Sequence, residues 1–103
     1  MPSDRPTCAV EQTLKVIGGR WKVLILRELF FGVRRFNQLQ RSLPGITQKM
    51  LTQQLREMEA DALIHRKVYA QVPPKVEYSL TPLGESLKPV LDSMHDWGEK
   101  FKG

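Results

Sequence analysis

Gln48, Lys49, Thr52, Gln53 and Arg56 stand at spacings that bring them onto one side of a helix of about 100° per residue. Their types suit the reading of base edges. A glutamine amide pairs with adenine at two points, a lysine donates to guanine, and a threonine methyl touches the thymine methyl. Polar side chains of this length, in the first half of a helix, are what recognition from a major groove requires. Arg56, a turn further on, is placed for phosphate, as are Arg34, Arg35 and Lys75. The plainer reading of the same residues is a solvated helix face.

Cys8 is the second chemical candidate. A single cysteine cannot close an internal disulfide, which suits a reducing cytosol. Near the start of a helix, with Arg5 close by in sequence, its thiol would be biased toward thiolate, the state a redox or electrophile sensor uses. A thiol there can also pair with another chain. The alternative is a small buried apolar residue.

Other chemistries find no support. His65 and His95 lie apart with no further ligand at metal spacing. Gly18-Gly19 follows a helix and not a strand, unlike a nucleotide-binding loop. Ser42, Ser79, Ser86 and Ser93 have no evident activating base. No enzyme, metal or cofactor is expected. No apolar run approaches the ~20 residues of a membrane span, and Met-Pro-Ser-Asp-Arg-Pro lacks the apolar core of a signal peptide.

The charge is concentrated around the first candidate. The 103 residues carry a net +5, and residues 29–76, with eight basic and three acidic side chains, account for all of it. No acid lies between Glu28 and Glu57, a window holding Arg34, Arg35, Arg41, Lys49, Arg56 and six Asn or Gln residues. A second acid-free window, 62–76, holds Arg66, Lys67 and Lys75. Cations mixed with amides suit a polyanion whose bases are also read.

Elements that would position these residues follow from periodicity. With 41% hydrophobic and 26% charged residues, the composition is that of an ordinary globular domain. Residues 1–7 read as a flexible arm and 8–103 as one domain. Thr7 is a candidate cap for a helix carrying Val10, Leu14 and Ile17, stopped at Gly18-Gly19. Trp21–Phe31 is apolar on most sides and reads as a buried helix. Arg35–Leu43 is a short helix, Pro44-Gly45 a turn, and Gln48–Ala60 an amphipathic helix capped by Thr47, with Leu51, Leu55 and Met58 on its inner stripe. That is helix-turn-helix form. Ile64–Val72 and Val76–Leu80 read as a hairpin with Pro73-Pro74 at its tip, a wing.

Thr81-Pro82 then starts one long helix, offset or kinked by Pro89. Its stripe of Leu83, Leu87, Val90, Leu91, Met94 and Trp97 has little domain left to cover, so a dimer interface shared with the first helix is expected. The alternative is that it folds back on its own core. Trp21, Phe36, Tyr78 and Trp97 are read as core aromatics.

Several strings resemble the HxlR-type regulators. They are Gly19-Arg20-Trp21-Lys22, Arg35-Phe36-Asn37-Gln38-Leu39, residues 43–51 (Leu-Pro-Gly-Ile-Thr-Gln-Lys-Met-Leu) and residues 72–84 (from Val72-Pro73-Pro74 to Thr81-Pro82-Leu83-Gly84). The likeness runs from Cys8 to Trp97. It implies a dimeric, DNA-binding winged-helix transcription factor related in fold to the MarR group. In some members a cysteine near the N-terminus senses electrophiles, oxidants or aldehydes. Two positions depart: Ala9 stands where proline is frequent, and Ala62 where glycine is usual before the wing. If position 62 needs a positive φ, alanine there costs ~1 kcal/mol.

The combined expectation is a mainly α protein with a small β-hairpin wing. As a homodimer it would place two recognition helices in successive major grooves of a pseudo-palindromic operator, about 34–36 Å apart. With no segment spare for recruiting polymerase, repression is expected, direct activation staying open. A protein-interaction module, or a receptor with a small-molecule pocket between dimer helices, are the rival readings.

Overall fold

The computed structural model describes residues 7–103, with side chains from residue 9 onward. The elements are α1 (Thr7–Ile17), α2 (Trp21–Phe30), β1 (Arg34–Arg35), α3 (Phe36–Ser42), α4 (Gln48–Ala60), β2 (Ile64–Tyr69), β3 (Lys75–Leu80), α5 (Pro82–Glu85) and α6 (Lys88–Lys102). The expected arm and the side chain of Cys8 lie outside the described residues.

Helices α2, α3 and α4 meet around one core in which Ile25, Leu26, Leu39 and Leu51 are fully buried, with Leu55 and Met58 from the inner stripe of α4 beside them. Trp21 and Phe36 pack at its margin and Tyr78 is buried, as expected of core aromatics. Between α3 and α4 the turn is held open by Gly45, whose φ of 92° is left-handed backbone that glycine enters without a Cβ penalty.

The wing is three-stranded and not a bare hairpin. Strand order is β1-β3-β2, all antiparallel, with Arg34 opposite Tyr78 and Ile64 opposite Leu80. Two-residue β1 has no periodicity to read, so Arg35 was expected inside the next helix. It instead ends a strand and caps α3, its backbone N–H donating to Gln38 Oε1 at 2.8 Å. The first hairpin strand stops at Tyr69, short of the expected Val72, because Gln71 N–H turns back to Tyr69 O at 3.0 Å and the prolines that would lie opposite, Pro73 and Pro74, have no N–H for the ladder.

Two further expectations are corrected at the C-terminal end. The single long helix is two, α5 and α6, and Pro89 does not kink an interior. It lies in the first turn of α6, where a missing N–H is no loss. Trp97 is not core: it is 65% exposed and stacks on Phe101, ring centroids 5.2 Å apart. One α-helical stripe cannot face its own core along its full length once it runs past the core's edge. Leu87 and Leu91 pack inward, while Leu83, Val90 and Met94 remain exposed with Trp97.

The join from α4 to the wing decides the fate of Ala62. Leu63 N–H donates to Met58 O and Ala62 N–H to Glu59 O, both at 3.0 Å, a paired closure of the helix end that needs a left-handed residue. Ala62 supplies it at φ 61°. Ala62→Gly should therefore raise stability by about 0.5–1 kcal/mol, seen as a higher Tm, because glycine removes the Cβ strain at the cost of some chain entropy. An unchanged or lower Tm would show that the turn has already relaxed around alanine.

Candidate nucleic-acid interface

Helix α4 is the second helix of the pair, following the Pro44-Gly45 turn, and its start is defined by Thr47, whose Oγ1 accepts from Met50 N–H at 3.1 Å. With Leu51, Leu55 and Met58 anchored beneath, Gln48, Lys49, Gln53 and Arg56 are exposed and Thr52 half-buried. All five candidate residues of this helix thus share the outward side. A cleft of about 470 Å³ lies between this face and the wing, and Gln48, Thr52 and Arg56 on one wall look across to Arg66 on β2.

The wing's cations are less free than the sequence suggested. Lys75 Nζ sits 4.2 Å from the Tyr69 ring centre and 3.8 Å from Glu77 Oε2, so its charge is partly held in place. Lys67, on the neighbouring strand, lies over the same ring at 5.0 Å. Arg34 is half-buried, its Nη1 donating to Val33 O at 3.1 Å, whereas Arg35 is exposed. Arg66 and Lys67 fell in the acid-free window, but only the tertiary structure sets Arg66 across the cleft from α4, while Lys67, the next residue of the strand, points to the other face with Tyr69.

An ion pair between a buried lysine and a half-exposed glutamate also escaped the sequence reading. Lys22 of α2 is only 8% exposed, and its Nζ meets Glu57 Oε1 of α4 at 2.7 Å. The other carboxylate oxygen of Glu57 accepts from Gln53 Nε2 at 2.9 Å. A lysine at the start of an apolar-rich helix and an acid one turn after Gln53 were visible in sequence, but not their meeting.

The hydrogen bond from Lys22, then that from Gln53, then the Lys22 charge hold the Glu57 carboxyl below its ordinary 4.5. A carboxyl depressed in the folded state stabilises it above the unfolded value, and that contribution is lost as pH falls from about 4.5 through the folded value. The wild-type protein should therefore lose Tm more steeply below pH 4.5 than Glu57→Gln does. Parallel acid limbs in melts of the two proteins would show that the pair makes no net contribution.

Two short helices about a tight turn, the second with a polar cationic face outward, and an antiparallel wing beside it define a winged helix-turn-helix protein. The chain belongs to the HxlR-like helix-turn-helix family, whose model matches residues 16–103. It is 59% identical over 99 residues to the HTH-type transcriptional regulator YdeP of Bacillus subtilis (strain 168), spanning 96% of this chain and 77% of that protein. Among solved structures, the redox regulator HypR in its reduced form matches with TM-score 0.87 and 54% identity over 91% of this chain and 93% of that one. A regulator of the MarR family from Enterococcus faecalis V583 matches with TM-score 0.87 and 43% identity, over 99% of this chain and 93% of that one.

The protein is accordingly a transcriptional regulator with a helix-turn-helix domain, of a family of regulators and not of enzymes. No helix among the described residues is long and apolar enough to cross a membrane.

Proposed function

We propose that the protein binds duplex DNA as a homodimer and represses transcription by occupying its operator. The observation that carries this reading is the uncovered outer face of α4, with Gln48, Lys49, Thr52 and Gln53 placed for base edges in a major groove. Arg56, Arg34, Arg35 and Lys75 take phosphates, joined by Arg66 and Lys67 of the wing. These contacts supply salt-sensitive affinity, and the reading face supplies sequence choice.

Residues 8–103 act as one unit in this reading, with the terminal helices forming the partner contact. Val10 and Leu14 of α1 and Val90, Met94, Trp97 and Phe101 of α6 are large apolar side chains left exposed, the kind of surface a partner subunit would cover. Leu83 is exposed as well, and Leu87 and Leu91 of the same stretch pack against the core.

Selection from a random duplex library, combined with sedimentation of the complex, tests the proposal. The expected product is two inverted half-sites about 10–10.5 bp apart bound by two chains. Recovery of duplexes with no base preference would overturn it.

Regulation through Cys8 is supported by the likeness to HypR, a redox regulator solved in reduced and oxidised forms. Diamide should weaken or strengthen operator binding by the wild-type protein and leave Cys8→Ser unaffected. An identical response from both would remove Cys8 from the account.

A further inference from the structure

We infer that Glu57 is a specificity-positioning residue, which orients the Gln53 amide for adenine before DNA arrives. The inference rests on the DNA-reading role proposed for Gln53. Three side chains in sequence carry it: Lys22 Nζ at 2.7 Å from Glu57 Oε1, and Glu57 Oε2 at 2.9 Å from Gln53 Nε2.

A carboxylate only accepts hydrogen bonds, so an ionised Glu57 can hold the Gln53 amide by its nitrogen and not by its oxygen. This settles which end of a nearly symmetric group faces which way. The nitrogen carries two protons. One serves Glu57, and the second stands beside Oε1 as the donor–acceptor pair that matches adenine N7 and N6. An amide free to turn over would offer the reverse pattern as often, and would lose rotamer freedom only on binding.

Lys22 makes the arrangement tolerable next to DNA. An acid on a recognition helix repels phosphate, but this one is compensated from inside the protein by a cation that is itself only 8% exposed. Lys22 thereby keeps Glu57 ionised and fixed. It touches neither Gln53 nor the outer face.

The test is in vitro selection from a random duplex library with the wild-type protein, Gln53→Ala, Glu57→Gln and the double variant Lys22→Met/Glu57→Gln. The last removes both charges and keeps the volume, so it remains folded if Glu57→Gln alone leaves a buried ammonium unpaired; thermal melts verify this. The wild-type protein should select an adenine at a position where Gln53→Ala selects none. At that position alone, both Glu57 variants should lose preference on the order of 5-fold, while affinity for random duplex is unchanged or higher. Full retention of the adenine preference by the folded Glu57 variants overturns the positioning role and leaves DNA reading intact. A wild-type protein that selects no sequence overturns both.

Discussion

Lys49→Ala combined with Gln53→Ala is expected to lower affinity for a duplex selected by the wild-type protein by roughly 10³-fold, with little effect on folding. Each good base contact contributes about 1–3 kcal/mol of discrimination, so two lost contacts amount to about 4 kcal/mol. Both side chains are exposed on α4, and the core below them is made by Leu51, Leu55 and Met58. Fluorescence anisotropy on the selected and on a random duplex separates the two kinds of contact. The variant should approach the wild-type protein's affinity for random DNA, because most phosphate contacts remain. Equal losses on both duplexes would mean that the α4 face contributes charge alone.

The complementary variants behave differently. Arg35→Ala should weaken binding to all sequences alike and reduce the salt slope by about one. Lys75→Ala should do less than Arg35→Ala, since the Tyr69 ring and Glu77 already engage the Lys75 ammonium.

Gly84→Ala should be among the most destabilising single methyl additions to this fold. A Cβ at position 84 would overlap Leu63 O and come to 3.1 Å from Leu80 Cδ2. The leucine side chain can turn aside, but the carbonyl cannot. Leu63 O accepts from Thr81 N–H at 3.0 Å and lies near Thr81 Oγ1 at 3.1 Å, while Thr81 Oγ1 accepts from Gly84 N–H at 3.0 Å. The same hydroxyl lies 2.7 Å from Ala62 O, to which it donates.

Thr81 therefore locks the start of α5 onto the chain between α4 and β2, and neither side can withdraw without breaking that lock. Overpacking against fixed backbone costs about 3 kcal/mol or more, read as a large fall in the urea midpoint. An unchanged midpoint would mean that α5 is free to shift. The same junction thus disfavours a methyl at two positions: it is harmful where added at Gly84 and strained where present at Ala62.

Much of the architecture is legible from local rules. The ranges of α1 and α4 follow from apolar periodicity and from the stops at Gly18-Gly19 and Pro44-Gly45. The outward placement of Gln48, Lys49, Gln53 and Arg56 follows from the leucine stripe opposite them. The glycine usual at position 62 in the resembling family raised a positive φ there as a condition, which Ala62 meets. These features depend on contacts within a few residues, or on one face of one helix, and a sequence records such information directly.

What the sequence by itself determined was a winged helix-turn-helix with a polar, cationic face outward on α4. Tertiary structure alone decided the pairing of Arg34-Arg35 as a third strand, the meeting of Lys22 with Glu57, the restraint of Lys75 by Tyr69, and the exposure of Trp97 beside the inward Leu87 and Leu91. Each joins residues far apart in the chain or depends on where the core ends. No periodicity encodes these outcomes, because they arise only once separate elements compete for the same space and the same charges.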